Sequence, residues 1–164
     1  IRDQTGSRGL GDVYKRQVQA ARGICDTYPL LDRELVFAGA ILHDIGKLFE
    51  LETGRLGLAS AYTAPGQLLG HISIGVSMIR EAGQLLGLSD ETVLLMSHML
   101  LSHHEKAEFG SPKPPMFPEA EVLSELDLLD SRLYAMFSAL DGVQPGAFTE
   151  RIWSLDNRML YRRR

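Results

Sequence analysis

With one cysteine, Cys25, in 164 residues, the chain can form no internal disulfide, and that scarcity fits a reducing compartment. No stretch approaches the ~18 consecutive apolar residues of a membrane helix, and no signal-peptide layout opens the sequence. These absences predict a cytoplasmic protein with no membrane partner. Positive charge is also short, with 17 Lys and Arg against 21 Asp and Glu and a formal net charge of −4. A broad electrostatic grip on nucleic acid needs clustered Lys and Arg. Only Arg162, Arg163 and Arg164 cluster, and they read as a solvated end, with a nucleic-acid contact as the alternative. Repeats and low-complexity tracts are absent. A hydrophobic content of 45% over this length fits one ordinary domain with its own core.

Histidine is sparse too, and unevenly placed. None precedes His43, and four of the five fall in the order HD, H, HH: His43 beside Asp44, then His71, then His103 and His104. Asp127 follows on a later apolar segment. Imidazole nitrogen with carboxylate oxygen suits Mn, Fe, Zn or Ni, and a bridging carboxylate lets one site hold two ions. The surroundings of Asp44 are apolar (Leu35, Val36, Phe37, Ala38, Ala40, Ile41, Leu42, Ile45), which reads as a buried helix. A buried carboxylate needs a partner. The pattern predicts a metal-dependent hydrolase.

The periodicity predicts an all-α fold. Residues 18–27 form a first helix closed by Tyr28 and Pro29. Asp32 is the expected N-cap of a second, ending at Gly46 or soon after. Residues 50–66, with Gly54, Gly57, Pro65 and Gly66, read as a loop. Leu68, Leu69, Ile72, Val76 and Ile79 recur at helical spacing, with Gly87 as terminator. Asp90 is the expected N-cap of a helix to His104 carrying Val93, Leu94, Met96, Leu100 and Leu101. His103 and His104 point about 100° apart on such a helix, so both reach one ion only if its end turns. Four prolines over residues 111–118 force an extended loop. Pro118 then opens a helix bearing Val122, Leu126, Leu129, Leu133 and Met136. Either Asp127 or Asp130 on that helix suits a ligand.

The runs ILHDIGK (residues 41–47), GHISIG (70–75) and LSHHEK (101–106) resemble the HD superfamily of metal-dependent phosphohydrolases. Within it, SHHEKAEFGSPKPP (102–115), LDLLDSRL (126–133) and IWSLDNR (152–158) resemble the YhaM-type 3′-to-5′ exoribonucleases of bacteria, over about residues 18–161. The resemblance implies an HD-domain helical bundle, and it favours Asp127. It implies a first metal on His43, Asp44 and Asp127, and a second among Asp44, His71, His103 and His104, with Asp44 bridging. Two ions about 3.5–4 Å apart would orient and activate water for in-line attack on a phosphodiester, with no protein nucleophile. Mn2+ is the expected ion, with Fe2+, Co2+ and Ni2+ as alternatives. Lys47 is expected either to contact a phosphate as a catalytic point charge or only to solvate a helix end. Glu105 is a candidate to orient a ligand histidine. The implied substrate is single-stranded RNA, or DNA. A phosphohydrolase of small nucleotides or cyclic dinucleotides and a non-catalytic nucleotide-sensing or partner-binding module are the alternatives, and oligomeric state stays open.

Residues 7–17, SRGLGDVYKRQ, back-translate to a transposase-type sequencing adapter. Residues 1–17 are therefore expected to be non-native, with the HD domain over 18–164 and an OB-like nucleic-acid-binding domain missing upstream. HD enzymes of this pattern take one more histidine from the helix before the HD motif, and that position falls near Val13. Without it the first metal is expected to bind poorly and the truncated chain to be weakly active or inactive.

Overall fold

The computed structural model describes residues 10–53, 59–104 and 110–164. The all-α expectation holds. Helices α1 (Leu10–Thr27), α2 (Arg33–Leu42), α3 (Lys47–Glu50), α4 (Ala64–Leu86), α5 (Asp90–Ser102) and α6 (Pro118–Leu140) are joined by one antiparallel hairpin, β1 (Leu51–Thr53) with β2 (Ala59–Tyr62). A larger unit ends at Asp127, and Leu128–Arg164 form a smaller one. No described helix is long and apolar enough to cross a membrane.

Helix starts are set by local hydrogen bonds. Asp32 accepts the Leu35 N–H at 3.0 Å, Thr63 the Gly66 N–H at 2.9 Å, and Ser89 the Thr92 N–H at 3.1 Å, each satisfying an otherwise orphaned donor. Ser89 therefore caps α5, and Asp90 instead lies in the first turn, favoured by the helix dipole. Where it is described, the segment expected as a loop over residues 50–66 forms instead the end of α3, the two strands and an early start of α4; Gly54 and Gly57 lie outside the described residues. Proline is tolerated in a first helical turn, and the Thr63 cap holds Pro65 and Gly66 there. Helix α1 is regular from Leu10, so the segment read as adapter-encoded joins the fold without a break where it is described.

Helix α2 stops at Leu42 rather than Gly46. The N–H groups of Ile45 and Lys47 bond three residues back, to Leu42 and Asp44, which tightens the chain out of α-helical geometry. Ile41 is 46% exposed, so this segment is not buried all round. One core cluster joins Ala40 to Met96, Met99 and Leu100 of α5 and to Ala120 and Leu123 of α6. A second joins Ala21 and Cys25 of α1 to Val36 and Leu126. Met99, Leu100 and Leu123 are wholly buried, where truncation to alanine costs about 2–5 kcal/mol.

Three expected core stripes are interrupted. Leu68 and Leu69 are exposed because Gly70, at φ 71°, ψ 158°, breaks α4 between them and His71, so helical spacing does not carry across the break. Leu94, Leu129 and Leu133 are exposed as well. In the smaller unit Phe148 bridges Tyr161 and Ile152 bridges Arg158. Arg162 is not a solvated end: its guanidinium donates to the carbonyls of Leu140, Asp141 and Val143.

Candidate metal centre

His43 and Asp44 occupy the turn after α2, His71 follows the break in α4, His103 and His104 close α5, and Asp127 lies in α6. The fold brings all six together. Asp44 divides them: its Oδ2 lies 3.4 Å from His43 Nε2, while its Oδ1 lies 3.6 Å from His71 Nε2 and 3.9 Å from His103 Nε2. Asp127 approaches His43 Nε2 at 3.4 Å through Oδ1 and His104 Nε2 at 4.0 Å through Oδ2. His71, His103 and His104 hold one ring nitrogen each within 4.8 Å of one another. The regular helix ends at Ser102, and the turn beyond it lets the His103 and His104 rings lie 4.0 Å apart instead of splaying. The remaining histidine, His98, stands elsewhere: its Nε2 accepts the Met116 N–H and anchors the proline-rich loop to α5.

Buried polar atoms normally have partners, yet among the described residues His43 Nε2, Asp44 Oδ1, His71 Nε2 and His103 Nε2 have no hydrogen-bond partner. Each of those imidazoles sets Nδ1 against an acceptor, the carbonyls of Ala40 and Leu100 for His43 and His103 and the Glu50 carboxylate for His71. With the proton on Nδ1, every Nε2 lone pair turns inward, the form in which imidazole binds a metal. These residues fit a divalent cation. A fifth orphan, Gln17 Oε1, belongs to α1, and Gln17 Nε2 donates to Asp127 Oδ1 at 3.0 Å. Tyr14, one turn earlier, has its phenol pKa raised by burial and by the Asp44 charge. The face of α1 toward this centre therefore carries Tyr14 and Gln17, where the resemblance led us to look for a histidine near Val13.

Charge is uneven across the cluster. Burial opposes a proton on His43, but Asp44 and Asp127 beside it outweigh that and raise its pKa to about 10. His103 is pushed the other way, to about 3, by burial and by the charges of His43 and His104. Burial also works against an ionised Asp44, yet His43, Lys47 and His103 hold its carboxyl well below the usual range. Asp127 is lowered as well, burial being outweighed by His43. Lys47 is buried and its Nζ sits 2.9 Å from Asp44 Oδ2; it does not solvate a helix end.

Sequence reasoning missed three supporting residues. Gln17 offered no signal, because its partner lies 110 positions away. Glu50 closes the HD segment but in the sequence looks like any charged helix end. Ser111, 1% exposed, accepts the His104 N–H at 2.9 Å and ties the loop to that histidine. Glu105, expected near the ligands, lies outside the described residues.

A helical scaffold gathering four histidines and two aspartates around one orphaned cluster defines a protein built to hold divalent metal. The chain belongs to the HD domain family, whose model matches residues 15–132. It is 49% identical over 154 residues to the 3′-5′ exoribonuclease YhaM of Bacillus subtilis (strain 168), covering 94% of this chain and 48% of that protein. It is 48% identical to the protein of the same name in Geobacillus sp. (strain WCH70), covering 94% and 47% respectively. The chain thus spans about half the length of these curated relatives. No solved structure matches it. Family and donor set together support metal-dependent hydrolysis as the chemistry of this centre.

Proposed function

We propose that the chain is the catalytic part of a metal-dependent phosphodiesterase, a cytoplasmic 3′-to-5′ exoribonuclease acting on single-stranded RNA. The observation that carries this reading is the division of Asp44, whose two oxygens face separate donor sets. His43, Asp44 and Asp127 would hold one ion, and Asp44, His71, His103 and His104 the other, Mn2+ being the expected metal. When bound, the ions supply a water activated near neutral pH and charge to offset that developing on the phosphate. Asp44 keeps both donor sets in register, and Lys47 holds the Asp44 carboxylate while leaving a cation near an incoming phosphate. The RNA substrate is taken from the relatives' name, and the formal charge of −4 supports leaving strand capture to an upstream nucleic-acid-binding domain. Residues 1–17 are read as adapter-encoded, so the natural protein would carry its own helix there, and the present chain is expected to be weakly active.

An intact homologue with its full N-terminus should shorten single-stranded RNA from the 3′ end in Mn2+ and stop on chelation. Asp44→Ala should abolish this. Digestion that survives chelator, or cleavage of cyclic dinucleotides alone, would overturn the exoribonuclease reading.

A further inference from the structure

The break in α4 creates a second helix start at His71, where Gly70 takes the left-handed φ of 71°. A helix start leaves backbone N–H groups without intrahelical partners. Glu50, the last residue of α3, supplies one: its Oε1 accepts the His71 N–H at 2.9 Å and also lies 3.2 Å from His71 Nδ1. Two close backbone approaches fix this contact. A β-carbon on Gly66 would come within 2.2 Å of the Glu50 carbonyl oxygen, and one on Gly46 within 2.0 Å of the His71 carbonyl oxygen, so α3 meets α4 closer than any side chain there permits. Glu50 is 7% exposed, and a carboxylate so buried must be paired. Both contacts fall on a single residue.

His43 and His103 turn Nδ1 onto carbonyls three residues back in their own helices, contacts that come with local geometry. The Nδ1 acceptor of His71 comes from a different element and carries a charge. We propose that Glu50 is a positioning residue for His71, holding the ring in the tautomer whose Nε2 faces Asp44 Oδ1 and strengthening that nitrogen as a metal donor. The assignment rests on the metal-centre reading above. Loss of such a carboxylate behind a ligand histidine costs about 10–100-fold in metal affinity.

Mn2+ calorimetry tests it, with the His71 tautomer read by long-range 1H–15N correlation on the metal-free chain. Glu50→Gln keeps an oxygen for the His71 N–H and so preserves the helix start while removing the charge. Glu50→Ala removes both. Mn2+ affinity at the imidazole-rich half should fall about tenfold in the first and about 100-fold in the second, and His71 should move toward the Nε2–H tautomer in Glu50→Ala. With His71→Ala already present, Glu50→Gln should change nothing further. Thermal destabilisation with unchanged Mn2+ affinity and unchanged tautomer would show a helix cap only and overturn the assignment. Should His71→Ala alone leave Mn2+ binding intact, the metal-centre reading itself falls; should it weaken binding while neither Glu50 variant does, only the role of Glu50 falls.

Discussion

The two sides of Asp44 differ in how they are satisfied. Its Oδ2 side is crowded with charge: His43 with a pKa near 10, Lys47 at 2.9 Å, and Asp127 held by Gln17. The Oδ1 side meets His71 and His103, with His104 beside them, and His103 stays neutral because its pKa sits near 3. A cation entering the first side displaces a proton. On the second side the neutral His103 ring already turns its Nε2 lone pair inward.

The largest effect is expected where the two sides join. In an intact homologue the change matching Asp44→Ala should abolish phosphodiester turnover and remove both Mn2+ equivalents, because this carboxylate serves both donor sets. It should also destabilise the metal-free fold by about 3–5 kcal/mol, because His43 and Lys47 lose their shared counter-charge. Denaturant titration with and without Mn2+ separates the two losses. If Asp44→Ala still bound two equivalents, the division of the centre by this residue would be wrong.

Next in size is pH. His43 titrates near 10 in the folded metal-free protein against about 6.5 when unfolded, so its stabilising contribution is complete below about pH 6.5 and disappears as pH rises through 10. Asp44 and Asp127, both lowered, contribute stability above about pH 3.9 that is lost on acidification. The metal-free fold should therefore be most stable near pH 6.5, weakening toward pH 10 as His43 loses its proton and weakening toward acid because His103, with its pKa near 3, stays neutral where its unfolded form takes up a proton. Mn2+ affinity at the His43 side should instead rise, up to about tenfold per pH unit below 10, as the ion replaces that proton. His103, with its pKa near 3, should release none at neutral pH. Calorimetry in buffers of different ionisation enthalpy counts the protons, and zero release on filling both sides would erase the contrast.

Smaller effects probe the supports. Gly70→Ala should cost about 1–3 kcal/mol, since φ 71° with ψ 158° is a conformation essentially confined to glycine, and should weaken Mn2+ binding on the His71 side alone. Ser111→Ala, which removes the acceptor for the His104 N–H, should cost about 1 kcal/mol and loosen the same side by a few-fold. Equal weakening of both sides by either change would mean that the supports are shared.

The sequence alone made the helices, the cap at Asp32, the stop at Gly87, the helix start at Pro118 and the six clustered side chains legible. Periodicity and capping depend on neighbours within one turn, and donor chemistry belongs to the side chain itself. Tertiary structure decided what the donors face. Gln17 reaching Asp127, Glu50 reaching His71 and the two sides of Asp44 all depend on distant segments packing together. The break at Gly70, which exposes Leu68 and Leu69 and frees the His71 N–H, was hidden because a glycine inside an apolar period looks helical until another carboxylate arrives to take the freed hydrogen bond.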